Sequence, residues 1–289
     1  TVFLFSSFTY DAFVIALLML GIALFVTEYL SEEKIQTKRT MVSILAMVVG
    51  CFSKAVYIPF LALYWLMPKD KFCSRRQKNL FKAGIFVLLI LMFASFILPL
   101  IGNVTSGAEV GDYRGGDTSQ TSQLSMILGY PLTYTGVLLK SLGTTFASYF
   151  IGSKVLANFA YRGIYDGIGY FVVLLTMLFT FVTDFGMTEK IYDAQIKRKI
   201  FMMKIWNAVL IFGTACLVWT ALYLDFTPVG SMVINGVSPR YYLPLIFPLS
   251  LIFINQKVRC SMKLENYQSL IAFLMLIGTG ISIYCLMLA

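Results

Sequence analysis

The chain has 289 residues, 58% of them hydrophobic and 13% charged, with a mean hydropathy of +0.80 and a net charge of +9. A soluble domain carries roughly 25% charged residues, so the composition excludes a soluble fold and predicts an all-α, polytopic membrane protein. Excess Lys and Arg then mark cytoplasmic loops rather than a nucleic-acid partner, and the absence of histidine removes the commonest general base and metal ligand.

About seven hydrophobic segments follow in chain order. The first covers residues 12–30, with Asp11 directly before its apolar run. The second, 41–67, carries Lys54 near its middle. The others cover residues 80–101, 168–182, 200–224, 241–254 and 269–288. Most of the 23 basic residues fall in four polar stretches, around Lys34–Arg39, Lys69–Lys82, Lys190–Lys204 and Lys257–Lys263. The positive-inside rule makes these stretches cytoplasmic and turns residues 102–123 and 225–239 outward.

Segment 41–67 lies between two such stretches, so it cannot cross once. Split at Ser53–Lys54, it makes two arms of about 12 and 13 residues, each roughly 18–20 Å as α-helix and too short for a ~30 Å core. The expected form is a helical hairpin entering from the cytoplasm with Lys54 at its tip; a single span with a snorkelling lysine is the alternative. Residues 102–162 are expected to hold an extracytoplasmic loop and interfacial helices. There, Leu132, Val137 and Leu142 interleave with Thr133, Thr135, Lys140 and Thr144, an amphipathic pattern opened by Pro131. A single transmembrane domain, 1–289, is expected. The chain starts at Thr1 without a recognisable signal peptide, which suggests that an N-terminal part is missing. The five cysteines show no metal-ligand spacing and read as apolar filler.

On this topology several polar residues gather on the outer side: Asp11, Lys54, Arg240 and the loop residues Glu109, Asp112, Arg114 and Asp117. Charges at such depth usually line a substrate path or pair with one another. Arg240 offers a planar fork for phosphate and Lys54 a point charge for the same task. Tyr57, Tyr241 and Tyr242 add rings that pack against sugars. A lipid-linked phosphate would set its charge at this depth and its tail between helices. Asp11, Asp112 and Asp117 are the candidate catalytic carboxylates, to act as base, to orient an acceptor hydroxyl or to hold a divalent metal. The plainer alternatives stay open: an interfacial anchor for Arg240, a helix cap for Asp11, solvated loop carboxylates, and belt tyrosines. No zinc, nucleotide-phosphate or Ser/His/Asp signature is present.

NGVSPRYYLP, residues 235–244, resembles the Gly-Val-Gln-Gly-Arg-Tyr-Phe-Leu-Pro signature of the bacterial multi-pass family known as domain of unknown function 2142. Gly236, Val237, Arg240, Tyr241, Leu243 and Pro244 match, and Ser238-Pro239 replaces Gln-Gly. SSFTYDAF resembles the family's Ser-x-Ser-Tyr-Asp at Asp11. SKAVYIPF resembles its Lys-Pro-Pro-Tyr-x-Pro at Lys54, Tyr57 and Pro59. QLSMILGYP resembles its Gln-Leu-x-x-Ile-Leu-x-x-Pro at Gln123 and Pro131.

That family resembles the GT-C membrane glycosyltransferases. The resemblance implies a GT-C-like helical bundle in the bacterial cell membrane. It implies transfer of a sugar from a polyprenyl-phosphate donor to an envelope glycan or lipid-linked acceptor on the outer face. Arg240 and Lys54 would hold the donor phosphate, and Tyr57, Gln123, Tyr241 and Tyr242 would line the cavity. The usual GT-C catalytic Asp-Glu pair would precede Thr1. The competing readings are a lipid-linked-sugar flippase or polysaccharide exporter, for which no internal repeat is visible, and a noncatalytic subunit of an envelope complex.

Overall fold

The computed structural model describes residues 10–106, 118–159, 163–183, 194–253, 258 and 260–287. It is 82% helical, with no strand among the described residues. Four helices are long and apolar enough to cross a membrane, which makes the chain an all-α polytopic membrane protein. Its contacts divide into two compact units: residues 10–145 with 209–244, and the described residues of 146–208 with those of 245–289.

The first unit is built on α1 (Tyr10–Leu30) and α2 (Thr37–Phe52). One stripe of α1 is buried: Asp11, Val14, Ile15, Leu18, Gly21, Ile22, Phe25, Glu28 and Tyr29, at three- and four-residue spacing. Phe13, Met19 and Leu20 on the other face are exposed, as lipid-facing residues would be. The helices meet through small residues. A Cβ on Gly21 would lie 2.5 Å from Met47 Cγ and 3.0 Å from the Ser43 carbonyl oxygen. Ser43 Oγ donates to the Gly21 carbonyl at 2.6 Å. Between membrane helices, van der Waals packing and interhelical hydrogen bonds replace the hydrophobic effect, so close approach is the main source of stability.

After α2 the chain reverses at Ser53–Lys54 and continues as a 3₁₀ helix, Ala55–Leu66. Tyr64, near its far end, donates its hydroxyl hydrogen to Ser43 Oγ, close to the start of α2. The 3₁₀ form differs from the α-helical arm expected from the sequence. Pro59 lacks the N–H that would close an α-type bond to Ala55, and Tyr57, Ile58, Phe60, Leu61, Leu63 and Tyr64 are buried. At about 2.0 Å per residue the arm reaches roughly 24 Å rather than the ~18 Å of an α-helix.

Three further helices follow in or leaving this unit: α3 (Arg75–Ser106), α4 (Gln120–Gly129) and α5 (Pro131–Phe150). Beyond them come the short α6 (Ser153–Leu156), α7 (Ile168–Val182), the 33-residue α8 (Ala194–Phe226), α9 (Leu243–Phe253) and α10 (Leu264–Met287). A 3₁₀ turn, Pro239–Tyr242, leads into α9.

The second unit rests on α7 against α10. A Cβ on Gly169 would meet Ser282 Oγ at 2.4 Å and the Gly278 carbonyl oxygen at 2.5 Å, so only glycine permits this crossing. At the other end of the pair, Thr183 and Tyr267 share a hydroxyl–hydroxyl bond of 2.7 Å.

Candidate functional site

The site begins with Asp11 in the first turn of α1. Its Oδ1 accepts a hydrogen bond from Lys54 Nζ at the reversal between α2 and the 3₁₀ arm. Its Oδ2 lies 3.8 Å from Arg240 Nε. The Asp11 and Lys54 side chains are 5% and 7% exposed, whereas that of Arg240 is 48% exposed. Lys54 Nζ also stands 4.3 Å over the Tyr241 ring and 5.2 Å over the Tyr10 ring. The guanidinium carbon of Arg240 lies 5.7 Å from the Tyr241 ring. Ring faces and carboxylate together replace the water that a buried ammonium gives up. One carboxylate meets two cations, so this cluster has a net charge of +1.

Local sequence explains how Arg240 and Tyr241 arrive there. Gln123, fully buried on α4, donates its side-chain amide to the carbonyls of Tyr223, Thr227 and Pro228 at 3.1, 3.4 and 3.4 Å, and accepts from the Gly230 amide at 3.4 Å. Thr227 Oγ1 accepts from the Asn235 amide at 3.0 Å. The segment after α8 is thereby pinned. Gly236 then turns with φ +79°, and a Cβ there would sit 2.3 Å from the Phe226 ring, so glycine is required on both counts. Ser238 is extended, as the residue before a proline tends to be, and Pro239 opens the 3₁₀ turn. Tyr57 donates its hydroxyl hydrogen to the Tyr241 carbonyl at 2.6 Å, fixing that turn against the 3₁₀ arm.

Asp11, Lys54, Arg240, Tyr57 and Tyr241 thus come together. Tyr57, fully buried, does not join the cavity lining, and neither do Tyr242 and Gln123. Tyr242 is buried, and its oxygen accepts from Trp219 Nε1 at 2.6 Å. Gln123 is spent on the post-α8 segment. Both position site residues rather than face a ligand. Asp112 and Asp117, with Glu109 and Arg114, lie outside the described residues.

Beside the cluster is a cavity of about 580 Å³, within the roughly 300–1,000 Å³ range of small-ligand sites. Tyr10, Lys54 and Tyr241 line it, with Phe93, Phe96 and Ile97 of α3 as an apolar wall, together with the last turns of α8. Two lining residues escaped the sequence reading. Gln120 Nε2 donates to Asp225 Oδ1 at 2.6 Å, and both border the cavity. The available signal was a carboxylate ending a long apolar helix. Among the described residues no three His, Cys, Asp or Glu side chains converge to hold a metal ion.

The family's model, described as a predicted membrane protein, matches residues 1–249 and therefore every residue of this cluster and cavity. The chain belongs to the DUF2142 family. No curated protein and no solved structure matches it. As a DUF2142 member it carries its ion cluster on three separate stretches, around Asp11, Lys54 and Arg240, all inside the matched region.

Proposed function

We propose that this membrane protein binds a polyprenyl-phosphate-linked sugar and transfers the sugar to a glycan or lipid-linked acceptor on the outer face of a bacterial cell membrane. The observation that supports this reading is the Asp11–Lys54–Arg240 cluster beside a mixed polar and aromatic cavity. A sugar phosphodiester carries one negative charge, which balances the cluster's net +1. Arg240, half-exposed and forked, contacts the phosphate; Lys54 supplies the second positive charge; Asp11 holds both cations in place rather than acting as base. The apolar wall from Phe93, Phe96 and Ile97 suits the first isoprenes of the carrier.

In transfer, an acceptor hydroxyl attacks the anomeric carbon, and its proton passes to the departing polyprenyl phosphate, which gains a basic oxygen as the bond breaks. The bond from that carbon to the phosphate oxygen breaks, and the polyprenyl phosphate leaves with the electron pair. Its increased negative charge is stabilised by Arg240 and Lys54. The test is full-chain protein in lipid nanodiscs with labelled undecaprenyl phosphate and, in vesicles, labelled lipid-linked sugar. Lys54→Ala is expected to lower affinity for undecaprenyl phosphate about tenfold or more, the effect of losing one charged hydrogen bond. New glycosidic product supports transfer. Leaflet exchange without product would replace the transferase reading with that of a flippase. Unchanged affinity in Lys54→Ala would remove the phosphate assignment.

A further inference from the structure

Away from the cavity, the first unit gathers positive charge at the start of α3. Lys34 Nζ donates to the Asp70 and Phe72 carbonyls at 2.9 and 3.3 Å, which ties the α1–α2 turn to the segment that leads into this helix. α3 then opens with Arg75, Arg76 and Lys78 and has no acidic residue in its first turn. Cations at a helix N-terminus oppose its dipole. Arg75, Lys78 and Lys82 also recur at three and four residues along one face, where like charges repel. Helix stability therefore does not account for them. Lys69, Arg75 and Arg76 are exposed, and among the described residues no carboxylate forms an ion pair with them or with Lys78. An anion from outside the protein would relieve the repulsion.

The surroundings of these charges say which anion fits. Lys82 Nζ donates to the Trp65 carbonyl at 3.0 Å, and the exposed Trp65 ring stacks on Phe86 with centroids 6.4 Å apart. An exposed tryptophan beside a lysine is the pattern of a membrane–water boundary. Past it the same face of α3 turns apolar: Phe86 and Ile90 follow Lys82 at four-residue steps, and both are exposed. Leu80, Val87 and Leu91 are exposed next to them. Cations and apolar side chains thus succeed each other along α3 in the order, headgroup and then chain, that a phospholipid presents. A soluble anion would leave the apolar stretch unused.

We propose that the first turns of α3, together with Trp65, form a docking surface for an anionic glycerophospholipid of the surrounding bilayer. Arg75, Arg76 and Lys78 take the headgroup phosphate, Trp65 packs at the glycerol level, and an acyl chain runs along Phe86 and Ile90. Clusters of Lys and Arg immediately beside a membrane helix attract anionic lipids in this way. This surface does not depend on the donor-phosphate reading, whose residues lie at the opposite end of α1.

The experiment titrates the full chain in neutral detergent with phosphatidylglycerol and, separately, with phosphatidylcholine, and reads bound lipid by native mass spectrometry. The wild type is expected to bind phosphatidylglycerol about fivefold tighter, the effect of one cation facing an anionic headgroup. Replacing all three cations, Arg75→Gln with Arg76→Gln and Lys78→Gln, is expected to bring the ratio near one, with the loss falling on phosphatidylglycerol. Lys78→Gln alone is expected to lower the ratio about twofold, and it keeps the test alive should the triple variant fail to fold. Arg240→Ala is expected to leave the ratio unchanged. Soluble glycerol phosphate is expected not to displace the lipid; displacement would overturn the lipid assignment in favour of a free phosphate. A wild type without preference, variants that retain it, or its loss in Arg240→Ala overturns the surface.

Discussion

At one end of α1, Glu28 sits among Lys71, Arg39 and the Gln36 amide; at the other, about 26 Å away at 1.5 Å per residue, Asp11 sits between Lys54 and Arg240. Both carboxylates are almost fully buried, and each faces two cations. The Glu28 end is closed. Lys71 Nζ lies 3.9 Å from Glu28 Oε1 and also donates to Ser31 Oγ at 2.5 Å and to the Glu33 carbonyl at 2.9 Å. The Gln36 amide donates to Glu28 Oε1 at 3.1 Å, and the Ile35 amide donates to the Lys71 carbonyl at 2.9 Å. These bonds staple the α1–α2 turn to the segment after the 3₁₀ arm. The Asp11 end borders a cavity, and its Arg240 is half-exposed. The same pattern of one acid and two cations is thus tied into the α1–α2 turn by Lys71 and the Gln36 amide at one end, and stands beside a cavity with a half-exposed arginine at the other.

Four substitutions would break or sharpen this contrast. The largest effect is expected from Lys71→Ala, which leaves buried Glu28 without the more buried of its two cations. It should cost about 3–5 kcal/mol of stability, read as a lower melting temperature in detergent, while the affinity of the folded protein for undecaprenyl phosphate stays the same. A fall in affinity as large as that in Lys54→Ala would dissolve the distinction between the two ends. Gly21→Ala lies between them. Its new methyl meets Met47 and the Ser43 carbonyl, and overpacking there should cost about 1–3 kcal/mol in the same melt. A neutral result would show that α1 and α2 can separate without penalty.

Arg240→Ala should lower affinity for undecaprenyl phosphate about tenfold, or roughly 1.4 kcal/mol, by titration in nanodiscs. Its effect on stability should stay below about 1 kcal/mol, because a half-exposed ion pair at 3.8 Å contributes little. Arg39→Ala is its counterpart at the closed end, with a side chain 31% exposed and 3.5 Å from Glu28. It should shift stability by less than about 1 kcal/mol and leave binding untouched. If Arg39→Ala weakened phosphate binding, the anion site would have to be sought at the Glu28 end.

These two ends also differ in how visible they were. Asp11, Lys54 and Arg240 stand out because each interrupts or borders an apolar run, where a charge is costly enough to demand a reason. Glu28 lies near a polar stretch with Glu32, Glu33 and Lys34, so it reads as an ordinary flanking charge. Only its burial separates it from them. Asp225 also borders an apolar run, but Gln120, its partner, is 105 positions away in a polar stretch, and no local pattern joins the two. The 3₁₀ form of Ala55–Leu66 was hidden as well, since a nearly continuous apolar run carries no periodicity that would distinguish rise per residue.

Composition and segment length by themselves determined that this chain is an all-α polytopic membrane protein, because in hydrocarbon every backbone polar group must be paired within its own helix. Short motifs around Asp11, Lys54, Gln123 and Arg240 determined its family. Which charges meet was decided only by the tertiary structure. Asp11 and Arg240 are joined through a glycine turn at Gly236, a Gln123 clamp and a Tyr57 hydroxyl. Ion pairing and cavity shape depend on distances of a few ångströms between distant segments. Hydropathy, a property of local runs, carries no record of those distances.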